Sequence, residues 1–432
     1  MTGTTHILGA GLSGLAAAVT LSARGCAVVV HEGGTQAGGR CRSYDDAELG
    51  CRLDNGTHLM LSGNRAAMAF MRRTGGQAHV KIAAQAAFDF MDLADGARWR
   101  LRVNDGPFPL WLFIRHARIP GTHAADYLTD MARLLRAPRT ALIAEVLGGS
   151  PLYRPLWQPL TVAILNTEPE NAAAILLRRV LMETVLRGGR FCRPMLAREG
   201  LSPCLIDPAL AYLAARSTPV HYGRRAKALR LGATRVEGIE FASGEAIELG
   251  PRDNLILALP AMGAAELLPS LRLPDAFRPI LNAHFKADWP YARLPLTASG
   301  GMIGVLGGIS EWIAVKPCLR PDGTADEQSC VISVTVSAAQ NHMDQPAATL
   351  AATLWDEIVR SLMLPADLAL PAYRILKEKR ATFAATPEQL AKRPPPRTAW
   401  RNMVLAGDWT DTGLPATIEG ALRSGVKAAK ML

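Results

Sequence analysis

Seven cysteines are scattered through this 432-residue chain, at positions 26, 41, 51, 192, 204, 318 and 330, with no Cys-x-x-Cys pair and no Cys/His cluster. That scarcity excludes a zinc site and a disulfide framework. No apolar run approaches the ~20 residues needed to cross a bilayer, and no charged and apolar leader precedes His6. A cytoplasmic protein is therefore expected. Acidic residues are also short, with 38 Asp and Glu against 48 Lys and Arg, a net charge of +10. Nucleic acid does not account for the surplus, because the arginines are dispersed through apolar sequence and no recognition motif occurs. The length exceeds a single core and predicts two domains.

What is present starts with a glycine run. Thr5 to Leu8 is apolar, Gly9-Ala10-Gly11-Leu12-Ser13-Gly14 follows, Leu12 to Ala23 has helical composition, and Cys26 to Val30 is a β-branched run ending at Glu32. This reads as a βαβ unit. Gly9 permits the tight turn, Gly11 lets the backbone approach a pyrophosphate, and Gly14 lets helix pack on strand. Leu12 and Ser13 open the helix, whose free N–H groups and dipole favour the pyrophosphate, and Glu32 is placed to accept hydrogen bonds from ribose hydroxyls. No second GxGxxG occurs, so a dedicated nicotinamide domain is absent and the electron donor stays open.

The far end carries a matching pattern. Val404 to Asp408 reads as a buried strand entering a turn, and Pro415 to Ala429 as a helix with Pro415 in its first turn. Between the ends, Pro203 to Arg216 looks helical, Val220 to Arg224 extended, Lys227 to Leu231 and Arg235 to Phe241 alternate like a hairpin, and Asn254 to Leu259 is an apolar strand stopped by Pro260.

With Gly38-Gly39-Arg40 just after the second strand, the chain resembles the FAD-dependent amine oxidase and phytoene desaturase superfamily. The resemblance implies an α/β fold: a Rossmann-like FAD-binding domain of the glutathione reductase-like, amine oxidase type, with an inserted α+β substrate domain. It implies that Gly39 and Arg40 face the pyrophosphate and flavin, that Asp408 after Gly407 meets ribityl or phosphate oxygens, and that amides near Thr417 and Ile418 face the isoalloxazine. It also implies that a residue near Ala226 covers the adenine. The FAD-binding domain is expected over 1–65, 193–262 and 398–432, and the substrate domain over 66–192 and 263–397. Lys392 to Arg397 reads as a stiff linker between them. The inserted segments are rich in Leu, Ala, Met and Pro and poor in convergent charge, which suits an apolar ligand. Helices are expected at Ala124 to Arg136, Ala172 to Leu186 and Ala347 to Leu362, and extended stretches at Gly301 to Leu306, Trp312 to Val315 and Cys330 to Ser337.

An amine oxidase would place an aromatic wall beside the flavin, one member two residues before its C-terminal glutamate; that position is Thr417. A cage for a cationic amine is unsupported. Asp54-Asn55-Gly56-Thr57-His58, with the run Gly407 to Gly420, resembles the squalene-associated, FAD-dependent desaturase-like proteins of bacterial hopanoid pathways, the hydroxysqualene dehydroxylases. That likeness implies reductive removal of an allylic hydroxyl from an isoprenoid. The hydroxyl must leave as water, which requires a proton donor and a dry cavity. His58 is the candidate donor; its alternative is a hydrogen bond to the loop backbone. Asn55 and Gly56 are candidates to line the flavin ring. A carotenoid desaturase running hydride the other way, and a non-catalytic isoprenoid-binding flavoprotein, are the rival readings.

One segment addresses the charge. Residues 106–118 hold Pro107, Phe108, Pro109, Leu110, Trp111, Leu112, Phe113 and Ile114, followed by Arg115, His116 and Arg118. Apolar side chains beside cationic ones suit an element that dips into one leaflet of an anionic membrane, which would place the protein peripherally on the inner face of the cell membrane. The alternative is a buried strand of the substrate domain.

Overall fold

A parallel five-stranded sheet is assembled from distant pieces of chain, in the order Val220–His221, Ala27–His31, Thr4–Leu8, Asn254–Leu257, Met403–Leu405. The computed structural model describes residues 3–291 and 301–432, so part of the 263–397 segment lies outside the described residues. Helix Leu12–Ser22 is apolar on all sides because it is buried on all sides, between this sheet and helix Ile418–Ala429. Two glycines set those distances. A Cβ on Gly14 would lie 1.9 Å from the Gly9 carbonyl oxygen, and one on Gly425 2.0 Å from that of Ser13.

The second large sheet has seven strands, in the order Ala372–Phe383, Phe277–Ala287, Ala325–Val336, Trp312–Leu319, Met302–Leu306, Ala86–Asp92, Arg98–Val103. All of its pairings are antiparallel except that of Met302–Leu306 with Ala86–Asp92. Alternation divides its two faces. Leu281, Phe285, Ile332 and Val334 pack on helix Ala347–Leu362 through Leu350, Leu354 and Ile358. The other face carries Asn282, His284, Lys316, Ser333 and Thr335. A helical layer, built on Ala124–Arg136, Ile143–Leu147, Gln158–Leu165 and Ala174–Glu183, encloses its own core of Trp111, Leu134, Ile143, Trp157 and Leu177.

Several expectations shift. The helix expected from Pro415 begins at Ile418, because the Thr417 hydroxyl accepts the Gly420 N–H at 3.1 Å and closes the first turn there. Pro415 precedes the cap. The helix expected over Pro203 to Arg216 is a wide turn, Ser202–Ile206, followed by helix Asp207–Ala214; Pro208 has no N–H to give to the ladder. The expected boundary at 65/66 cuts into helix Arg65–Thr74, whose Ala67, Phe70 and Met71 share a core with the first helix, and that at 262/263 falls inside helix Ala261–Leu267. Segment 106–118 is not a strand. Pro107 and Pro109 remove ladder donors, and the chain makes short turns over Leu110–Phe113 and Arg115–Ala117 that bury Trp111 and Leu112 and turn the neighbouring apolar side chains outward.

Candidate active site

The glycine run and the C-terminal motif converge although nearly 400 residues separate them. Gly38 donates its N–H to the Ala10 carbonyl at 2.9 Å, which brings the Gly38-Gly39-Arg40 loop against the first turn. Gly9, Gly38 and Gly39 have φ of +104°, +106° and +58°, a region that only glycine enters without strain. Arg40 then reaches across to the other terminus, where its Nη2 donates to Asp408 Oδ2 at 2.7 Å, and its Nη1 donates to the Ala381 carbonyl. The Asp408 carboxylate raises the Arg40 pKa further above its ordinary value. Gly407 is tied to the C-terminal helix, its N–H donating to Ser424 Oγ at 2.9 Å. Thr417 and Ile418 are the cap and first residue of that same helix.

The residues present fit a bound dinucleotide. A Cβ on Gly11 would meet nothing within 4 Å, and one on Gly39 only the Gly11 Cα at 3.7 Å, so the backbone around the helix entrance borders open space. Leu12, Ser13 and Gly14 bring their first-turn amides to that opening. Glu32 takes the Ala10 N–H on Oε2 at 2.7 Å and the Gly34 N–H on Oε1 at 2.8 Å, fixing the turn on which the phosphates would rest. Ala226 begins a strand reached from Arg224, whose N–H donates to the Glu32 carbonyl at 2.8 Å, so the hairpin stands beside the Glu32 turn.

The loop from Asp54 to His58 forms another wall. Asn55 donates to the Arg42 carbonyl at 2.9 Å through its N–H and to the Arg40 carbonyl at 3.3 Å through Nδ2. Asn282 on the polar face of the large sheet donates to the Asn55 carbonyl at 3.3 Å, and a Cβ on Gly56 would stand 2.8 Å from its Nδ2. His58 points Nδ1 at the Gly56 carbonyl at 2.7 Å, which assigns its ring proton to that nitrogen. Burial lowers its pKa, against the Gly56 hydrogen bond and the Asp54 charge, so the ring is neutral at neutral pH.

Four further groups shape this region. Burial penalises the Asp54 carboxylate, but Lys316 Nζ at 2.7 Å, the Leu201 N–H at 2.8 Å and the Ser43 hydroxyl at 2.7 Å hold it below the usual carboxylate range. His284 holds Ser333 Oγ at 2.8 Å, and burial pushes it down to about 4. Glu419 is a structural tie, accepting the Ala66 and Ala67 N–H groups at 3.0 Å each and pairing with Arg423. Arg393 lies in the segment expected as a stiff linker. It is buried, donating to the carbonyls of Leu414 at 2.7 Å and Asp408 at 3.0 Å, so it clamps the turn that carries Asp408.

The family model for flavin containing amine oxidoreductases matches residues 12–432. A hydroxysqualene dehydroxylase of Rhodopseudomonas palustris is 47% identical over 100% of this chain and 99% of its own length, and one of Zymomonas mobilis is 40% identical over 99% and 98%. Among solved structures, putrescine oxidase bound to putrescine superposes with a TM-score of 0.70 over 100% of this chain and 98% of that one, at 16% identity, a likeness of fold. FAD is the cofactor, and the protein is an oxidoreductase. The chain belongs to the flavin containing amine oxidoreductase family, and within it to the branch of the hydroxysqualene dehydroxylases.

Proposed function

We propose that this enzyme removes the hydroxyl of hydroxysqualene reductively, giving squalene and water. The observation that carries the reading is the full-length identity of 47% with a protein curated as a hydroxysqualene dehydroxylase. Thr417 at the helix cap, where an amine oxidase would present an aromatic ring, agrees with a substrate that is not a cationic amine.

In this reading FAD is held by 1–65, 193–262 and 398–432, with Gly9, Gly11, Leu12, Ser13 and Gly14 at the pyrophosphate, Glu32 at the ribose, Ala226 at the adenine, and Gly38, Gly39, Arg40, Asn55, Gly56, Gly407, Asp408, Thr417 and Ile418 toward the flavin. Residues 66–192 and 263–397 build the chamber. Reduced FAD supplies the hydride. The protein orients the allylic carbon, excludes water and delivers a proton to the departing oxygen.

The helical layer gives the substrate a route from a membrane. Residues 98–198 hold fifteen arginines, no lysine and seven Asp or Glu, so about a quarter of the chain carries eight of its ten net positive charges. The same stretch turns Phe108, Leu110 and Phe113 outward at 75%, 61% and 71% exposure. Among the described residues no helix is long and apolar enough to cross a membrane, so this surface would dock on one leaflet.

Anaerobic incubation of reduced holoenzyme with hydroxysqualene and, separately, of oxidised holoenzyme with phytoene tests the reading by product. Squalene from the first and no change in the second is expected. Flavin that stays reduced in the presence of hydroxysqualene would overturn it. Docking is tested by cosedimentation with phosphatidylglycerol vesicles, where the double variant Phe108→Ser, Phe113→Ser is expected to lose at least tenfold in binding.

A further inference from the structure

We infer that Asn282 is a positioning residue that aims the Gly56 N–H at the isoalloxazine, an assignment that rests on the placement of the Asn55–Gly56 loop at the flavin given above. Asn282 lies in the middle of strand Phe277–Ala287, opposite Thr335 on one neighbouring strand and Leu376 on the other. Asparagine is disfavoured in strands, and a buried amide costs free energy unless it is hydrogen-bonded. This one is buried, with both ends of its amide in use. Leu281, Ala283 and Phe285 pack in the core shared with helix Ala347–Leu362, so alternation turns Asn282 to the opposite face of the sheet, against the loop.

The contacts fix its orientation. The Asn55 carbonyl can only accept, so Nδ2 is the atom that meets it at 3.3 Å, and Oδ1 is left to take the Thr335 hydroxyl at 3.1 Å. A Cβ at Gly56 would stand 2.8 Å from Nδ2 and 3.2 Å from both Cγ and Oδ1, so a side chain there would push the amide off its two partners. The peptide between Asn55 and Gly56 is planar and trans, and its C=O and N–H point opposite ways. Holding the carbonyl toward the sheet therefore turns the Gly56 N–H away from it. That N–H has no hydrogen-bond partner among the described residues, although Gly56 is buried. The next peptide is pinned as well, since His58 Nδ1 holds the Gly56 carbonyl at 2.7 Å.

A buried free donor in a pinned loop calls for an acceptor. The loop is bound to the Gly39–Arg40 turn, with Asn55 Nδ2 donating to the Arg40 carbonyl at 3.3 Å, and Arg40 in turn pairs with Asp408. A polar atom of the flavin ring is the acceptor that this neighbourhood would receive when FAD is bound. A fixed N–H there favours the charge that the ring takes up on reduction and holds the ring in one place relative to the substrate. Asn282 acts through the peptide that it orients.

The test compares N282L, N282A and G56A holoenzymes with wild type. The visible spectrum and midpoint potential of the FAD are measured without substrate, and single-turnover flavin reoxidation is then followed with hydroxysqualene. N282L keeps the approximate shape and removes both hydrogen bonds; N282A removes them with less bulk and serves where N282L does not retain FAD. Each is expected to perturb the flavin bands, lower the midpoint potential and slow the limiting reoxidation rate about 10- to 100-fold, with the half-saturating hydroxysqualene concentration little changed. G56A is expected to shift the spectrum and potential in the same direction, and the double variant N282A/G56A to match N282A instead of adding to it, because the lost amide leaves room for the new methyl. Asn282 variants with the wild-type spectrum and potential, beside a G56A enzyme that shifts both, would overturn the assignment and leave the loop at the flavin. A G56A enzyme that is also unchanged would overturn the loop's placement with it.

Discussion

Asp54 and Glu311 are two desolvated carboxyls, and their surroundings push them in opposite directions. Asp54 has a lysine, a hydroxyl and a backbone N–H at 2.7 to 2.8 Å, and it stays ionised. Glu311 has one serine and a second carboxylate for company, and it stays protonated. Desolvation acts on both; at Asp54 it is outweighed by Lys316 first, with the Leu201 and Ser43 hydrogen bonds behind it.

Removing the cation should make the first region resemble the second. Lys316→Met leaves Asp54 buried without its partner, and a loss of about 3–5 kcal/mol is expected in urea unfolding of the holoenzyme. A loss under 1 kcal/mol would mean that the hydroxyl and amide alone hold the charge. The sign of the pH dependence separates the two carboxyls next. Asp54, lowered in the folded state, contributes stability that is present at neutral pH and lost as pH falls below about 4. Glu311 is raised when folded, so it costs stability as pH climbs from about 4.5 toward about 8, where the unfolded chain is ionised and the folded one is not. The Tm of E311Q relative to wild type should therefore rise across that range; a constant difference would contradict the protonated assignment. The smallest effect is expected at His58. His58→Gln keeps a donor within reach of the Gly56 carbonyl and should slow flavin reoxidation by less than about tenfold, well short of a lost general acid. A loss of about 10²-fold or more would give the proton donor's role to the imidazole.

The flavin half of the fold was legible because its constraints are local. Gly9, Gly11 and Gly14 before a helix, a β-branched strand ending in Glu32, and Gly38-Gly39-Arg40 announce turns and close approaches that only glycine permits. The strand from Met403 and the capped helix after Thr417 follow from equally local signals, with the start misplaced by three residues because a threonine cap and a first-turn proline look alike in sequence. The chamber was legible only as strands, helices and apolar composition. Lys316 and Asp54 are 262 residues apart, and Glu311 meets Ser337 across a strand pairing that register decides, so no spacing in the chain announces either contact. Arg393 shows the same limit from the other side: three consecutive prolines suggest a stiff linker, and the buried guanidinium beside them is defined by carbonyls of Asp408 and the loop after it.

The contrast between the two carboxyls is tested most directly by infrared titration of the FAD-loaded protein. The account predicts a protonated carboxyl C=O band at neutral pH that disappears as pH passes about 8 and is missing from E311Q. A neutral-pH spectrum without that band, or one in which E311Q retains it, would contradict the account.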